Sequence, residues 1–390
     1  MLIGIIGAPN KGKSTMFSAL TMNDVGIADY PFTTIDPNLG IAYATKKCVH
    51  TEFGVHCRPR HAMCIDGIRH FPVNVIDVAG LVEGAHEGKG MGNQFINDLA
   101  SSDAFIMVVD ASGKTDPNGN AATDADPMED VKIIKNELVE WLYGVIKKHM
   151  HTISRADDGI MALHGVLASL KVTPDEIARV ANKLMLPSGR INWGDDMVRR
   201  FSSELLDAAK PYIIAANKSD MAGASEHIAT LRAAFGEDRV MPCSAAIELA
   251  LRKAVKSGAI DYIPGTREIN IKKSEMGRDQ ANAIAYMEGF LKQHGTNIQE
   301  LINKATFELL DNIVVYPVED DNKLTDSVEN ILPDALLIKR GSTALDLAMR
   351  IHTDIGKNML YAIDARTKKR LSKTYVLKDD DVIKIVSAAK

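Results

Sequence analysis

Four apolar runs without polar alternation set the expected architecture of this chain. They lie at residues 2–6, 73–80, 104–112 and 212–220, and the last three read VNVIDVAG, AFIMVVDAS and YIIAANKSD. Strands that are apolar at nearly every position are buried on both faces, and helix-length segments separate these four. The pattern predicts an α/β fold with a doubly wound, mostly parallel sheet, and a helix over 14–20 after the first strand.

The long segment between the third and fourth runs predicts an inserted helical element. It contains nearly a hundred residues, far more than one crossover helix requires. Apolar residues recur at spacings of three and four from 129 to 150, which indicates an amphipathic helix. The stretch TPDEI at 173–177 supplies a threonine cap, a proline at the first helical position and acids in the first turn. We expect residues 129–205 to form a helical insertion in the form of an antiparallel hairpin.

The C-terminal region changes in character after a predicted helical segment over about 279–310. Short strands and one helix follow, at 313–318, 334–341, 343–352 and near Met359 and Val382. This order is typical of a small β-grasp module. The predicted domains are a main α/β domain over 1–128 and 206–312, the insertion over 129–205 and the C-terminal module over 313–390.

The composition is that of an ordinary globular protein. Hydrophobic residues make up 46% and charged residues 25% of the 390 positions, which argues against a disordered or fibrous chain. The N-terminus lacks the basic start and apolar segment of a signal peptide, and no apolar run reaches about 18 residues. We therefore expect a cytosolic protein without a membrane span.

The net charge of −5 hides a basic C-terminal region. Between Lys339 and Lys378, ten lysine or arginine residues stand against three aspartates, a balance of about +7. Such a face suits the phosphates of RNA, and the alternative is a solvated face on an otherwise acidic protein.

A group of cysteines and histidines lies between Cys48 and Cys64, in the stretch CVHTEFGVHCRPRHAMC. Such soft ligands can hold zinc, but the spacing matches no closed zinc pattern and lacks a CxxC knuckle. Zinc at Cys48, Cys57 and Cys64 is therefore not expected. The four cysteines of the chain are too few and too unevenly spaced for a disulfide scaffold, and we expect them to be reduced.

The stretch GIIGAPNKGKSTMF contains a phosphate-loop pattern. Gly7, Gly12, Lys13 and Ser14 fit GxxxxGK[ST] between a strand and a helix, so that Lys13 binds the β and γ phosphates and Ser14 binds Mg²⁺. Lys11 precedes the second glycine, where the loop turns outward, and its side chain should be a surface charge or a partner contact. The candidate nucleotide-binding residues of the loop are Gly7, Ala8, Pro9, Asn10, Lys11, Gly12, Lys13, Ser14 and Thr15.

Two further motifs complete the expected nucleotide site. DVAG at 77–80 supplies Asp77, which would hold Mg²⁺ through water, and Gly80, whose N–H would sense the γ-phosphate. NKSD at 217–220 supplies Asn217, Lys218 and Asp220.

Base preference follows from the donors and acceptors of the base. Guanine presents two donors on one edge, which the Asp220 carboxylate can accept together, whereas adenine presents none in those places. Ser244 and Ala245, in CSAA, form the small loop expected beside the base. The predicted ligands are GTP and GDP with Mg²⁺.

These motifs, in this order, resemble those of translation-factor-class GTPases. The stretches ADYPFTTIDPNLG, DVAGLVEGAHEGKGMGN and VVDASGKTDPNG are similar to those of Obg-related GTPases, especially archaeal relatives of the YchF branch. The resemblance implies a P-loop NTPase fold, with Thr34 on Mg²⁺ and the γ-phosphate. It also implies that 129–205 is the family's helical hairpin and that roughly 313–390 is a TGS domain.

The resemblance further implies a ribosome-associated switch. The expected partners are the ribosome or RNA, reached through the TGS domain and the helical insertion, with a protein activator as a further candidate. Neither DNA nor a membrane is expected. Many members of the YchF branch alter the base-recognition motif and prefer ATP, but here Asn217, Lys218 and Asp220 are intact, which favours GTP.

Hydrolysis must proceed without a glutamine directly after DxxG, because Leu81 stands there. His86 or Glu87, substrate assistance, a partner or a potassium ion held by Asn10 could orient the attacking water instead. Slow intrinsic turnover is expected, with Lys13, Thr34, Gly80 and His86 as the catalytic candidates. The alternatives are an ATP-hydrolysing enzyme or small-molecule kinase, and a ribosome-binding scaffold with vestigial hydrolysis.

Overall fold

The fold is known from a computed structural model. It describes all residues except 23–37, 61, 79, 81, 82, 85–97, 188, 273–276, 389 and 390. The predicted roles of Thr34, Leu81, His86 and Glu87 therefore lie outside the described residues.

The described elements up to residue 110 include the first five strands of the central sheet. They are β1 (Leu2–Ile6), α1 (Lys13–Thr21), β2 (Leu39–Lys47), α2 (His50–Phe53), β3 (Met63–Ile65), β4 (Ile68–Asp77) and β5 (Ala104–Asp110). The predicted apolar strands are present. β5 is buried at every position, and β1 is buried at every position but its first.

The middle of the chain forms the helical insertion and returns to the sheet. Its elements are α3 (Pro127–Arg155), α4 (Gly159–Leu167), α5 (Pro174–Lys183), α6 (Asp195–Ala209) and β6 (Tyr212–Asn217). The insertion is helical, as predicted, but its described residues form four α-helices rather than a simple two-helix hairpin. Thr173 caps α5 through a full capping box with Glu176, as the sequence TPDEI indicates.

The next elements close the main sheet and lead to the C-terminal region. They are α7 (Ala224–Phe235), β7 (Val240–Pro242), α8 (Ala245–Lys256), β8 (Ile260–Asp261), β9 (Asn270–Ile271), α9 (Arg278–His294) and α10 (Ile298–Lys304). The predicted helical segment over 279–310 is interrupted at Gly295, whose φ of +72° ends α9. No helix among the described residues has the length and apolar character needed to cross a membrane.

The main sheet has the strand order β2-β4-β1-β5-β6-β7. The pairs β4–β1, β1–β5, β5–β6 and β6–β7 are all parallel, as predicted. Because these strands run the same way, β1, β4, β5 and β6 bring their C-terminal ends to one edge, where the candidate site lies.

The C-terminal region forms a second sheet. Its elements are β10 (Asn312–Val318), β11 (Leu336–Lys339), α11 (Ala344–Ile351), α12 (Thr353–Lys357), β12 (Met359–Asp364), β13 (Arg370–Leu371) and β14 (Asp381–Ser387). The strand order is β11-β10-β14-β12-β13, with β10 and β14 parallel and the other pairs antiparallel. Ala344, Leu347 and Ala348 of α11 join the core of this sheet, which gives the predicted β-grasp arrangement.

The chain divides into two compact units. Unit 1 comprises the described residues within Met1–Met22, Asp36–Ile41 and Asn74–Leu301, and unit 2 comprises those within Ala42–Val73 and Ile302–Lys390. Unit 2 therefore includes β3 and the part of β4 up to Val73, together with the C-terminal sheet. The domain boundaries proposed from the sequence, at residues 128, 205 and 312, stay predictions.

Candidate nucleotide-binding site

The glycine loop between β1 and α1 encloses the side chain of Lys13. Gly12 has a φ of +95°, a left-handed conformation that glycine adopts without strain, and α1 begins at the next residue. The Lys13 ammonium donates to the Ala8 carbonyl at 2.9 Å, and the side chain is only 8% exposed. Burial lowers the pKa of Lys13, the Asp77 carboxylate opposes this effect, and the Lys11 charge adds to it. Among the described residues, the Ala8 carbonyl is the hydrogen-bond acceptor of this buried cation, which is therefore suited to receive an anion.

Ser14 and Asp77 meet at the expected magnesium position. The Ser14 hydroxyl donates to Oδ2 of Asp77 at 2.8 Å, and Oδ1 of Asp77 is buried without a hydrogen-bond partner among the described residues. A hydroxyl and a carboxylate are oxygen ligands of the kind that Mg²⁺ prefers. The residues present therefore fit this ion.

Gly80 lies against the same loop. A Cβ added there would stand 3.2 Å from Cγ of Pro9 and 3.3 Å from the Lys13 ammonium nitrogen. The backbone of Gly80 therefore approaches Lys13 closely, and its role near the γ-phosphate stays a prediction.

Asn217 connects the phosphate loop to the loop expected beside the base. Its amide nitrogen donates to the Lys11 carbonyl at 2.9 Å, and its Oδ1 accepts from the Ala245 N–H at 3.0 Å. Ser244 is buried and caps α8 by accepting from the Ile247 N–H. The three motifs that carry Lys11, Asn217 and Ala245 are thus joined by one side chain.

The Asp220 carboxylate has an unused acceptor. Its Oδ1 is buried without a hydrogen-bond partner among the residues that the structure describes, while the Tyr286 hydroxyl donates to the backbone carbonyl of Asp220 instead. An unpaired buried carboxylate oxygen is costly unless a ligand supplies a donor. This geometry suits a base with two adjacent N–H groups.

The sequence motifs indicate no role for Asp110, which lies at the end of β5. Lys218, at a φ of +61°, donates to Oδ2 of Asp110 at 2.7 Å and to the Asn10 carbonyl at 3.2 Å. Burial alone would raise the pKa of Asp110, but hydrogen bonds from Lys218, Ser112 and Thr115 hold it below its usual range. No local pattern indicates this role, because it depends on the sheet register that pairs Asp110 with Asn217.

The prediction that Lys11 is a surface charge or partner contact is wrong. Its side chain is 1% exposed, and its ammonium lies 2.8 Å from Oδ2 of Asp130 and donates to the Thr115 carbonyl at 2.8 Å. Burial raises the pKa of Asp130, and Lys11 opposes this effect. Asp130 belongs to the first turn of the insertion helix α3, more than a hundred residues away, so spacing along the chain does not reveal the pair.

Asn10 and Pro9 contact the stretch that follows β5. The Asn10 amide nitrogen donates to the Gly119 carbonyl at 2.8 Å, and a Cβ on Gly119 would stand 2.9 Å from Cβ of Pro9. This contact accounts for part of the VVDASGKTDPNG stretch. A potassium ion at Asn10 stays a prediction.

The chain beyond Gly80 is described only in part. The Gly84 N–H donates to Oε1 of the buried Glu137 on α3 at 2.8 Å, which connects this segment to the helical insertion. The catalytic roles of Thr34 and His86 stay predictions.

Replacing Gly12 tests the loop geometry directly. In Gly12→Ala the new Cβ would meet the amide of Asn217 at a φ that costs a non-glycine residue about 1–2 kcal/mol. We expect about tenfold or greater loss of affinity for a fluorescent GTP analogue, since the loop must move away from Asn217. Gly144→Ala, within α3 with open space around its Cβ, is the matched control. Unchanged affinity in Gly12→Ala would contradict this account.

Three family models match successive parts of the chain. The model described as 50S ribosome-binding GTPase matches residues 2–152. The model described as Obg-like GTPase YGR210-like, G4 motif-containing domain matches residues 215–320, and the TGS domain model matches residues 328–387.

Similar proteins extend the match to the full length. A GTP-binding protein of Methanocaldococcus jannaschii is 49% identical over 394 residues, which cover 100% of both chains. The crystal structure of a GTP-binding protein from Pyrococcus horikoshii OT3 has a TM-score of 0.80 at 35% identity and covers 100% of both chains. A ribosome-binding ATPase YchF of Mycoplasma pneumoniae is 37% identical over 153 residues, which are 39% of this chain and 40% of that protein. Because the similarity spans the whole length and the TGS match follows the GTPase matches, the chain belongs to the Obg-like GTPases of the YchF type, a family that hydrolyses nucleoside triphosphates.

Proposed function

We propose that this chain is a GTP-specific, magnesium-dependent switch that associates with the ribosome or its RNA. The observation that carries the choice of GTP is the buried Oδ1 of Asp220, which has no hydrogen-bond partner among the described residues. Guanine offers two N–H donors to one carboxylate, whereas adenine offers none there and would leave the charge unpaired.

Each motif has one task in this proposal. Lys13 and the loop backbone bind the phosphates, Gly80 contacts the γ-phosphate, and Asn217 holds the phosphate loop to the base loop. Ser14 and Asp77 hold Mg²⁺, which when bound neutralises charge on the phosphate oxygens. Thr34 joins the magnesium ligands in the proposal, and Leu81 makes slow intrinsic turnover the expected outcome.

Competition between nucleotides tests the proposal. Unlabelled GTP and ATP are titrated against a fluorescent GDP analogue bound to the purified full chain in the presence of Mg²⁺. We expect GTP to compete at least about 10³-fold more strongly than ATP, since a site that pairs with one base rejects the other strongly. Equal competition would favour the ATP-hydrolysing alternative, in keeping with relatives that are named ATPases.

Two observations support a ribosomal or RNA partner. First, one matching family model and the related YchF protein of Mycoplasma pneumoniae are named ribosome-binding. The second is the basic C-terminal region, where some cations are paired within unit 2, such as Arg340 with Asp311 and Arg366 with Glu52. Others are exposed and form no ion pair with any carboxylate of the described residues; these are Arg350, Lys357, Lys369, Arg370, Lys373 and Lys378.

Removing exposed charge tests this part of the proposal. The double variant Lys369→Ala/Lys373→Ala should co-sediment less with ribosomes in the GTP state than the wild type does. Its binding should also depend less steeply on salt, because each lost phosphate contact removes about 0.7–0.9 from the slope of log K against log salt. Lys253→Ala/Lys256→Ala, which removes two exposed lysines near the end of α8, should behave like the wild type. Identical slopes for both variants would count against RNA contact by this region.

A further inference from the structure

Four soft ligands converge within unit 2, outside the nucleotide site. Cys48, His50, Cys57 and Cys64 each place a ligand atom within 4.8 Å of the other three. Sγ of Cys57 lies 3.1 Å and Sγ of Cys64 lies 3.5 Å from Nδ1 of His50. All four cysteines of the chain are free thiols.

The local fold explains the convergence without a CxxC knuckle. Cys48 follows the last residue of β2, and its N–H donates to the Gly67 carbonyl at 2.8 Å, at the turn of the β3–β4 hairpin. The Cys48 carbonyl accepts from the Thr51 hydroxyl at 2.9 Å, which turns the chain so that His50 begins α2 beside it. Cys64 comes from β3 and Cys57 from the connection between α2 and β3. The four ligands thus come from four different places along the chain from the end of β2 to β3, which linear spacing does not reveal.

The separations are close to those of a tetrahedral metal site. Zinc bonds of about 2.3 Å to sulfur and about 2.0 Å to nitrogen place neighbouring ligand atoms roughly 3.5–3.8 Å apart. The two sulfur-to-nitrogen separations at His50, 3.1 and 3.5 Å, need only small adjustments to reach this geometry. Four protein ligands leave no open position, as in structural rather than catalytic zinc sites.

A buried arginine supplies the charge that such a site requires. Arg69 lies opposite Cys64 in the β3–β4 ladder and is fully buried. Its guanidinium donates to the carbonyls of Leu332 and Pro333, and no carboxylate among the described residues pairs with it. An isolated buried cation is costly. Three thiolates, one neutral imidazole and Zn²⁺ sum to −1, which Arg69 would balance.

We propose that Cys48, His50, Cys57 and Cys64 bind one zinc ion in a closed tetrahedral site that holds the hairpin against the C-terminal region. The metal would act on the C-terminal region through α2, because Glu52 of this helix contacts Arg366. Glu52, two residues after His50, accepts two hydrogen bonds from Arg366 at 2.8 Å each, and Arg366 lies within the TGS match. Metal binding would fix α2 and thereby this bidentate contact. This site is independent of the proposed nucleotide specificity.

Metal analysis of the full chain tests the proposal. Protein produced in zinc-containing medium without chelators should carry about one zinc ion per chain by mass spectrometry of the metals, as expected for a closed four-ligand site. Cys57→Ser and His50→Ala should lose it. Cys243→Ala and His56→Ala are the matched controls, because Cys243 lies in unit 1 and His56 lies outside the four ligands, and both should retain zinc.

Cobalt provides a readout that needs no variant. Wild-type chain stripped by a chelator and given Co²⁺ should develop thiolate-to-cobalt charge-transfer absorption and the intense d–d bands of tetrahedral cobalt, which Zn²⁺ then abolishes. The free energy of unfolding should also fall on stripping and recover with Zn²⁺. Wild-type protein without zinc, a weak octahedral cobalt spectrum, or a disulfide between two of these cysteines in freshly purified protein would each overturn the proposal.

Discussion

Asp220→Asn is expected to weaken GTP binding by about 10³–10⁴-fold, roughly 4–5.5 kcal/mol, while the fold is retained. The wild-type carboxylate accepts two N–H donors of guanine, and its Oδ1 is buried without another partner among the described residues. An asparagine can accept only one of these hydrogen bonds, and its NH₂ faces the second donor. Calorimetric titration with GTP and GDP in the presence of Mg²⁺ measures the loss.

Asp220→Asn should also shift the base preference from guanine to xanthine. Xanthine carries a carbonyl where guanine carries its exocyclic amine, so that the asparagine amide can donate to it. Xanthosine triphosphate should therefore bind Asp220→Asn better than GTP does. Asp279→Asn, an identical change at an exposed aspartate of α9, should leave the GTP affinity unchanged. An Asp220→Asn protein that still prefers GTP would remove Asp220 from base recognition.

The sequence predicted best those features that depend on neighbours along the chain. The buried strands β1, β5 and β6, the cap at Thr173 and the phosphate loop each depend on a short pattern, and the structure has all of them. The β-grasp order of the C-terminal region was predictable for the same reason, because alternation of strand and helix signals is local.

The features that the sequence did not predict depend on distant contacts. By sequence alone Lys11 is a charged residue of the loop, but in the fold its ammonium lies 2.8 Å from Oδ2 of Asp130 on α3. Asp110 gains its role only through the hydrogen bond from Lys218, at the end of the neighbouring strand. The cysteines and His50 fit no spacing rule because four different places from the end of β2 to β3 supply them. In each case a polar group finds its partner through sheet register or helix packing, neither of which a local pattern encodes.

Lys13→Met should separate nucleotide affinity from folding stability. We expect GTP affinity to fall by about 10²–10³-fold, since removing one partner of a buried charged contact costs roughly 2–5 kcal/mol. The free energy of unfolding of the nucleotide-free protein should not fall, because burial lowers the pKa of Lys13 and therefore penalises its charge in the folded state. Calorimetric GTP titration and denaturant unfolding without nucleotide measure the two effects.

The lowered pKa of Lys13 also predicts how the stability of Lys13→Met relative to the wild type changes with pH. A lysine whose folded pKa lies below its unfolded value of 10.5 contributes stability above pH 10.5, and this contribution is lost as the pH falls through the folded pKa. The stability of Lys13→Met relative to the wild type should therefore rise as the pH is lowered from about 10.5, within the range where both stay folded.

The chain supplies its own control, because Gly113, Lys114 and Thr115 repeat the Gly-Lys-hydroxyl order outside the phosphate loop. Lys114 is exposed, so Lys114→Met should change neither GTP affinity nor the pH dependence of unfolding. If Lys13→Met instead lowered nucleotide-free stability by several kcal/mol, the hydrogen bond from Lys13 to the Ala8 carbonyl would stabilise the fold, and the energetic penalty attributed to its buried charge would be refuted.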